Sequence, residues 1–250
     1  MKEFDYKAVA KYIGWNFSMV KYDVDVPSGY NYYTAVTKNI VNTTVMLDIG
    51  SGSAEKSARY FSLAKRVYLT DIEPEMLKKA KANVEKYYSS TPSEKKKFTF
   101  KIVDSDGPFP FPDETFDLVV SRHCGANMSE VYRVLKKGGK FISEDYACDD
   151  CQEIKDIFGR GQDFGDEPLY RKVTLECIDA GFSSVNLLKF DEIEYYKTTD
   201  DLKFLLHNTP ILGGFDEEKD NETLQEYLDK FTTPRGIRLN RKLYAYELVK

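Results

Sequence analysis

A short apolar run, Val45-Met46-Leu47-Asp48-Ile49, breaks at Gly50-Ser51-Gly52, and a helical pattern begins at Glu55. A turn free of bulky side chains lets a ligand approach the backbone, and the start of the following helix offers unpaired N–H groups. At the end of the next apolar run, Tyr68-Leu69-Thr70, Asp71 supplies a carboxylate that can accept hydrogen bonds from both hydroxyls of a ribose. Turn and acid together point to an adenosine-type cofactor. A dinucleotide fingerprint would place a third glycine where Glu55 stands, so NAD is disfavoured.

Positioning these residues requires a strand, a turn, a helix and a second strand, and that unit repeats along the chain. Strands are expected at Val45 to Ile49, Arg66 to Thr70, Phe98 to Val103 and Phe116 to Ser121. Helices are expected from Glu55 to Ala64, and from Pro74, with Met76, Leu77, Ala80 and Val84 on one face. A short helix follows in which Met128, Val131, Val134 and Leu135 recur, stopped by Gly138-Gly139, and Lys140 to Ser143 begins a fifth strand. Pro168 opens another helix that ends at Gly181. Val185 to Tyr196 and Leu239 to Val249 read as a terminal hairpin interrupted by two helices. The fold class expected is α/β: a Rossmann-like, seven-stranded, mostly parallel sheet with helices on both faces, a C-terminal antiparallel hairpin and a helical insertion before the last strand. One domain accounts for 1–250, divided into an N-terminal cap (1–43), a cofactor-binding core (44–196), a helical lid (197–236) and a last strand (237–250).

The whole chain sets limits on what that unit does. It has 250 residues, 42% hydrophobic and 31% charged, with 36 basic against 41 acidic residues and a formal charge of −5. Such a chain buries a core without disulfides or a structural metal. The acidic balance provides no global basic footprint for nucleic acid. No apolar stretch is long enough for a membrane span, and the charged start lacks a signal core, so a cytoplasmic protein is expected. Among the four cysteines, Cys148 and Cys151 have CxxC spacing, but two histidines and no second pair make a poor zinc site. They read as reduced thiols near a helix start, and no metal is expected.

Further segments carry a family resemblance. An acid before the first glycine, as in Asp48-Ile49-Gly50-Ser51-Gly52, resembles motif I of the class I S-adenosylmethionine-dependent methyltransferases. Phe109-Pro110-Phe111-Pro112-Asp113-Glu114-Thr115-Phe116-Asp117-Leu118-Val119 resembles that family's "LPFPDxSFDLV" segment, and Glu130 to Gly139 resembles its "ExxRVLKPGG" helix and turn. The ordered set spans about Val45 to Ser143 and is most similar to the broad branch that includes ubiquinone- and menaquinone-biosynthesis methyltransferases.

The resemblance implies S-adenosylmethionine as cofactor, with Gly50 and Gly52 against its methionine part and Asp48 near its ammonium. Asp71 would hold the ribose and Ile72 would lie on one adenine face. Asp104, with Ser105 beside it, is preferred over Asp106 for the adenine amino group. Ser121 and His123 follow the fourth strand at the carboxyl edge of the sheet; Ser121 is assigned to the cofactor and His123 to catalysis, as a base or an orienting group. Methyl transfer from a sulfonium needs no covalent enzyme intermediate, so Cys124 is given no nucleophilic role. The expected activity is transfer of the methyl to a small-molecule acceptor by in-line displacement. RNA or protein methylation and a non-catalytic S-adenosylmethionine-binding protein are the alternatives. The tyrosines Tyr22, Tyr30, Tyr32 and Tyr33, with Trp15 and Phe17, are candidates for a cap over the acceptor.

Overall fold

The computed structural model describes residues 5–13, 16–163 and 168–250, so Trp15 lies outside the described residues. The chain opens with α1 (Tyr6–Tyr12), β1 (Tyr22–Asp25) and α2 (Tyr32–Thr37). The repeating unit then begins: β2 (Val45–Ile49), α3 (Glu55–Tyr60), β3 (Arg66–Asp71), α4 (Pro74–Tyr87), the single turn α5 (Pro92–Lys95), β4 (Phe98–Ile102), β5 (Phe116–Arg122), α6 (Met128–Val134) and β6 (Leu135–Tyr146). After α7 (Gln152–Phe158) and α8 (Leu169–Ala180) come β7 (Ser184–Tyr196), α9 (Thr199–Asn208), α10 (Asn221–Phe231), β8 (Thr232–Thr233) and β9 (Gly236–Val249).

Among the described residues the strands form one sheet in the order β1-β7-β9-β6-β5-β2-β3-β4, with the two-residue β8 on β9. From β4 to β6 every pairing is parallel, and β9 runs antiparallel to both β6 and β7. The expected seven strands are therefore present, with β1 and β8 added to them. The reversal of strand order beside β2 leaves a crevice at the carboxyl ends of β2 and β5, where open α/β sheets bind ligands.

The sheet is sandwiched because both of its surfaces are apolar. On one face Leu47, Ile49, Val119, Phe141 and Leu248 pack against Val131 and Val134 of α6 and Cys177 of α8. On the other, Met46, Leu69, Val120 and Ile142 pack against Tyr32 and Val36 of α2, Ala58 of α3, and Ala80 and Val84 of α4. The α4 stripe is the one its sequence period predicts. A third cluster joins α7 to the insertion through Ile154, Phe158, Leu202, Leu206, Leu212 and Tyr227, and Val20 from the N-terminal segment enters it.

One boundary differs from expectation. The apolar period carries α6 through Leu135 to a stop at Gly138-Gly139, yet the helix ends at Val134. Leu135 is already extended, with φ −71° and ψ 139°, and pairs with Phe116. Pairing with β5 and β9 overrides the helical period there. At its other end β6 continues past Ser143 to Glu144 and Tyr146, which bears directly on the site. Cys151 caps the N-terminus of α7, so the CxxC pair leads into a helix.

Candidate active site

The glycine turn is held by the strand beside it. Gly50 and Gly52 have φ values of +62° and +55°, a region costly for residues with a Cβ. A Cβ on Gly50 would also lie 2.5 Å from Cys124 Sγ. The Ser51 N–H donates to the Thr70 carbonyl at 2.7 Å, and the Thr70 hydroxyl donates to the Asp48 carbonyl at 2.9 Å. Asp71 completes the clamp: its Oδ2 accepts the Gly52 N–H at 3.0 Å and its Oδ1 accepts the Glu73 N–H at 2.9 Å. A carboxylate has about four lone-pair sites, so each oxygen can still accept a hydroxyl. Burial raises the Asp71 pKa and those two backbone bonds oppose the rise.

Asp48 lies deeper, on the same sheet face, with only 4% of its surface exposed and Oδ2 without a partner. Burial raises its pKa to about 7, opposed by a hydrogen bond with Ser57 and reinforced by the charge of Asp71. A carboxylate left this way is expensive unless something cationic neutralises it. The ammonium of S-adenosylmethionine fits that need, as the open lone pairs of Asp71 fit a ribose. Beside Asp71, Ile72 is 57% exposed, an apolar surface of the kind an adenine ring covers.

The loop after β4 holds Asp104, Ser105 and Asp106. Asp104 folds onto its own turn, its Oδ1 accepting the Asp106 N–H at 3.0 Å, and the Ser105 carbonyl accepts the Asn127 N–H at 2.8 Å. Both aspartates are exposed. Asp48, Gly50, Gly52, Asp71 and Ile72 thus meet at one edge. Ser121 turns inward instead: it is 1% exposed, and its hydroxyl donates to the Cys124 carbonyl, closing the loop after β5.

His123 sits in that loop at φ +57°, its N–H donating to the Glu144 carbonyl at 2.8 Å. The imidazole stacks on Tyr146 with centroids 4.2 Å apart and planes within 5°. Nε2 lies 3.9 Å from Glu144 Oε1, while Nδ1 is buried without a partner. Burial, and then the charges of Arg122, Arg241 and Lys56, hold its pKa well below the usual histidine range, so the ring is neutral. A neutral imidazole with an unpartnered nitrogen can take a proton.

Around His123 the structure brings Tyr32 and Tyr33, expected as cap residues, together with Arg122, Glu144, Tyr146 and Arg241, to which the sequence reading assigned no role. Arg122 donates from Nε to Glu144 at 2.7 Å, and its guanidinium carbon lies 5.9 Å and 5.8 Å from the Tyr32 and Tyr33 ring centroids. Tyr32, 4% exposed, has an unpartnered hydroxyl. Asn31 fixes this helix start by accepting the Thr34 N–H at 2.9 Å. Arg241, buried, pairs with Asp150 at 2.9 Å and Glu194 at 3.4 Å while lying 4.2 Å over the ring of Tyr146. The signal that could have found Glu144 and Tyr146 is the alternation Ile142, Glu144, Tyr146, which continues one face of β6 beyond Ser143. Two other arginines are engaged away from this edge: Arg235 donates to both oxygens of Asp25, and Arg238 donates to Glu153.

A mostly parallel sheet with this strand order, edged by a buried acid, a glycine turn and a second acid, is the arrangement expected from the resemblance to class I S-adenosylmethionine-dependent methyltransferases. The sequence model of the family described as methyltransferase domain matches residues 47–143. The demethylmenaquinone methyltransferases of two Tropheryma whipplei strains, Twist and TW08/27, are each 27% identical over 104 residues, a stretch covering 39% of this chain and 39% of the relative. Among solved structures, the YcgJ protein of Bacillus subtilis has a TM-score of 0.61 at 17% identity, covering 88% of this chain and 97% of that one. Phosphoethanolamine N-methyltransferase 2 of Haemonchus contortus, in complex with S-adenosyl-L-methionine, has a TM-score of 0.52 at 20% identity, covering 90% of this chain and 53% of that one. At these identities the structural likenesses speak to the fold.

Proposed function

We propose that this chain transfers the methyl group of S-adenosylmethionine to a small-molecule acceptor. The observation that carries the reading is a convergence of unsatisfied buried atoms. Asp48 Oδ2, Ser51 Oγ, Tyr32 Oη and His123 Nδ1 are all buried without hydrogen-bond partners, and all belong to the carboxyl edge of the sheet or to the segment covering it. Buried polar groups are seldom left unpaired unless a ligand completes them.

In this reading Asp48 holds the cofactor ammonium, Gly50 and Gly52 admit its methionine part, and Asp71 accepts the ribose hydroxyls. Ile72 covers the adenine, whose amino group meets Asp104 or Asp106 beside Ser105. The cofactor supplies a methyl on a sulfonium, already activated for in-line displacement, so the protein's task is alignment. His123 accepts the acceptor's proton at Nδ1, with Tyr146 fixing the plane of the ring. The N-terminal segment 1–43 serves as the cap and 197–236 as the lid.

Calorimetric titration with S-adenosylmethionine and with its demethylated product tests this reading. Micromolar-range binding of either is expected; a folded protein that binds neither would refute it. Asp71→Ala should weaken cofactor affinity at least tenfold, since it removes charge-assisted hydrogen bonds and loosens the Gly52 clamp. Unchanged affinity would remove the ribose assignment.

A further inference from the structure

Lys56, in the first turn of α3, is exposed and has no carboxylate within ion-pair distance among the described residues; its ammonium lies 6.0 Å from the Tyr33 ring centroid. Arg122 flanks the same ring at 5.8 Å, with Glu144 as its sole ion-pair partner among the described residues. We propose that Lys56 and Arg122 form an anion site that grips a carboxylate or phosphate group of the methyl acceptor, an inference that rests on the methyl-transfer reading above.

Three features support it. First, the two cations flank one ring, the Lys56 ammonium at 6.0 Å and the Arg122 guanidinium carbon at 5.8 Å from the Tyr33 centroid, and of the two only Lys56 lacks an ion-pair partner among the described residues. A cation without a carboxylate partner, set beside a second cation, is what an anion relieves. Second, the Tyr32 hydroxyl, buried and unpartnered, lies in the aromatic pair that Arg122 faces, and it supplies a neutral donor to the same group. Third, the other charges on this sheet face are mostly spoken for. Glu144 is bound to Arg122, and Glu194 accepts from Tyr196 Oη at 2.7 Å and pairs with Arg241. Glu192, on β7, has no ion-pair partner among the described residues. Anchoring the anion beside Tyr33 leaves the acceptor's nucleophile to reach His123.

The experiment is an NMR chemical-shift titration of the full chain saturated with S-adenosylhomocysteine, so that the cofactor's own carboxylate is already seated. Probes are sodium phosphate, sodium acetate and tetramethylammonium chloride at constant ionic strength. Saturable shifts with phosphate or acetate are expected, the tighter of the two identifying a phosphoryl or a carboxylate acceptor. Lys56→Gln should weaken that binding about tenfold, and Lys56→Arg should retain it. The inference is overturned by any of three results: no saturable anion binding to the saturated protein, equal binding in Lys56→Gln, or saturation with tetramethylammonium alone. Anions that bind only before S-adenosylhomocysteine is added would assign these cations to the cofactor and equally overturn it. Failure of S-adenosylhomocysteine itself to bind marks the separate failure of the methyl-transfer reading.

Discussion

Asp48 is a group whose charge folding opposes. With a pKa near 7 in the folded chain against about 3.8 in the unfolded one, the folded state binds the extra proton between those values. Stability therefore falls as pH rises across that window and stays reduced above it. Asp48→Asn should raise stability at pH 8 by roughly 1–4 kcal/mol, read from urea unfolding, while weakening S-adenosylmethionine binding. Wild-type binding should tighten as pH rises toward 7 and release protons, because the ammonium requires the ionised carboxylate; buffers of different ionisation heat would show the release, and the Asp48→Asn substitution would abolish it. His123 behaves oppositely. Burial, and then the charges of Arg122, Arg241 and Lys56, depress its pKa, so it resists taking up a proton as the pH falls. His123→Ala should lower kcat by about 10²–10³ with little change in cofactor affinity. An equal kcat would assign the imidazole to packing against Tyr146.

At the scale of elements, the glycine turn depends on the loop opposite it. Gly50→Ala should destabilise the chain by roughly 2–4 kcal/mol, combining the cost of positive φ with overlap on Cys124. In a Cys124→Gly background the same substitution should cost only about 1 kcal/mol, the backbone share. Chemical denaturation of the four chains checks it. The turn and its strands were legible because Gly50, Gly52 and Asp71 stand at the ends of short apolar runs, where local pattern and tertiary role agree. Arg122, Glu144 and Tyr146 were not. Strand ends look like loop starts in sequence, and although Ile142, Glu144 and Tyr146 alternate, it is the pairing of Arg122 with Glu144 that shows β5 and β6 carrying the alternation into the site. The bond made by the Ser121 hydroxyl is hidden for a related reason: alternation does not report that it donates within a tight loop.

Across the whole molecule, one buried guanidinium joins parts distant in sequence. Arg241 on β9 links Asp150, ahead of α7, with Glu194 on β7, and its guanidinium lies over Tyr146, the ring that supports His123. Arg241→Met would strand two buried carboxylates and should cost about 3–5 kcal/mol. Adding Asp150→Asn and Glu194→Gln should recover much of that loss. Because the same residue buttresses Tyr146, the single substitution should also lower kcat in any variant that still folds. The insertion meets this framework in a particular way: Tyr196 and Ile237 are paired across β7 and β9, so the chain leaves the sheet and rejoins it on the same rung. In evolutionary terms residues 197–236 are a cassette, exchangeable without shifting the register of any other strand. Its apolar anchor is the cluster shared with α7, so in homologous chains the sequences of α7 and of the cassette should drift together while the sheet edge stays still.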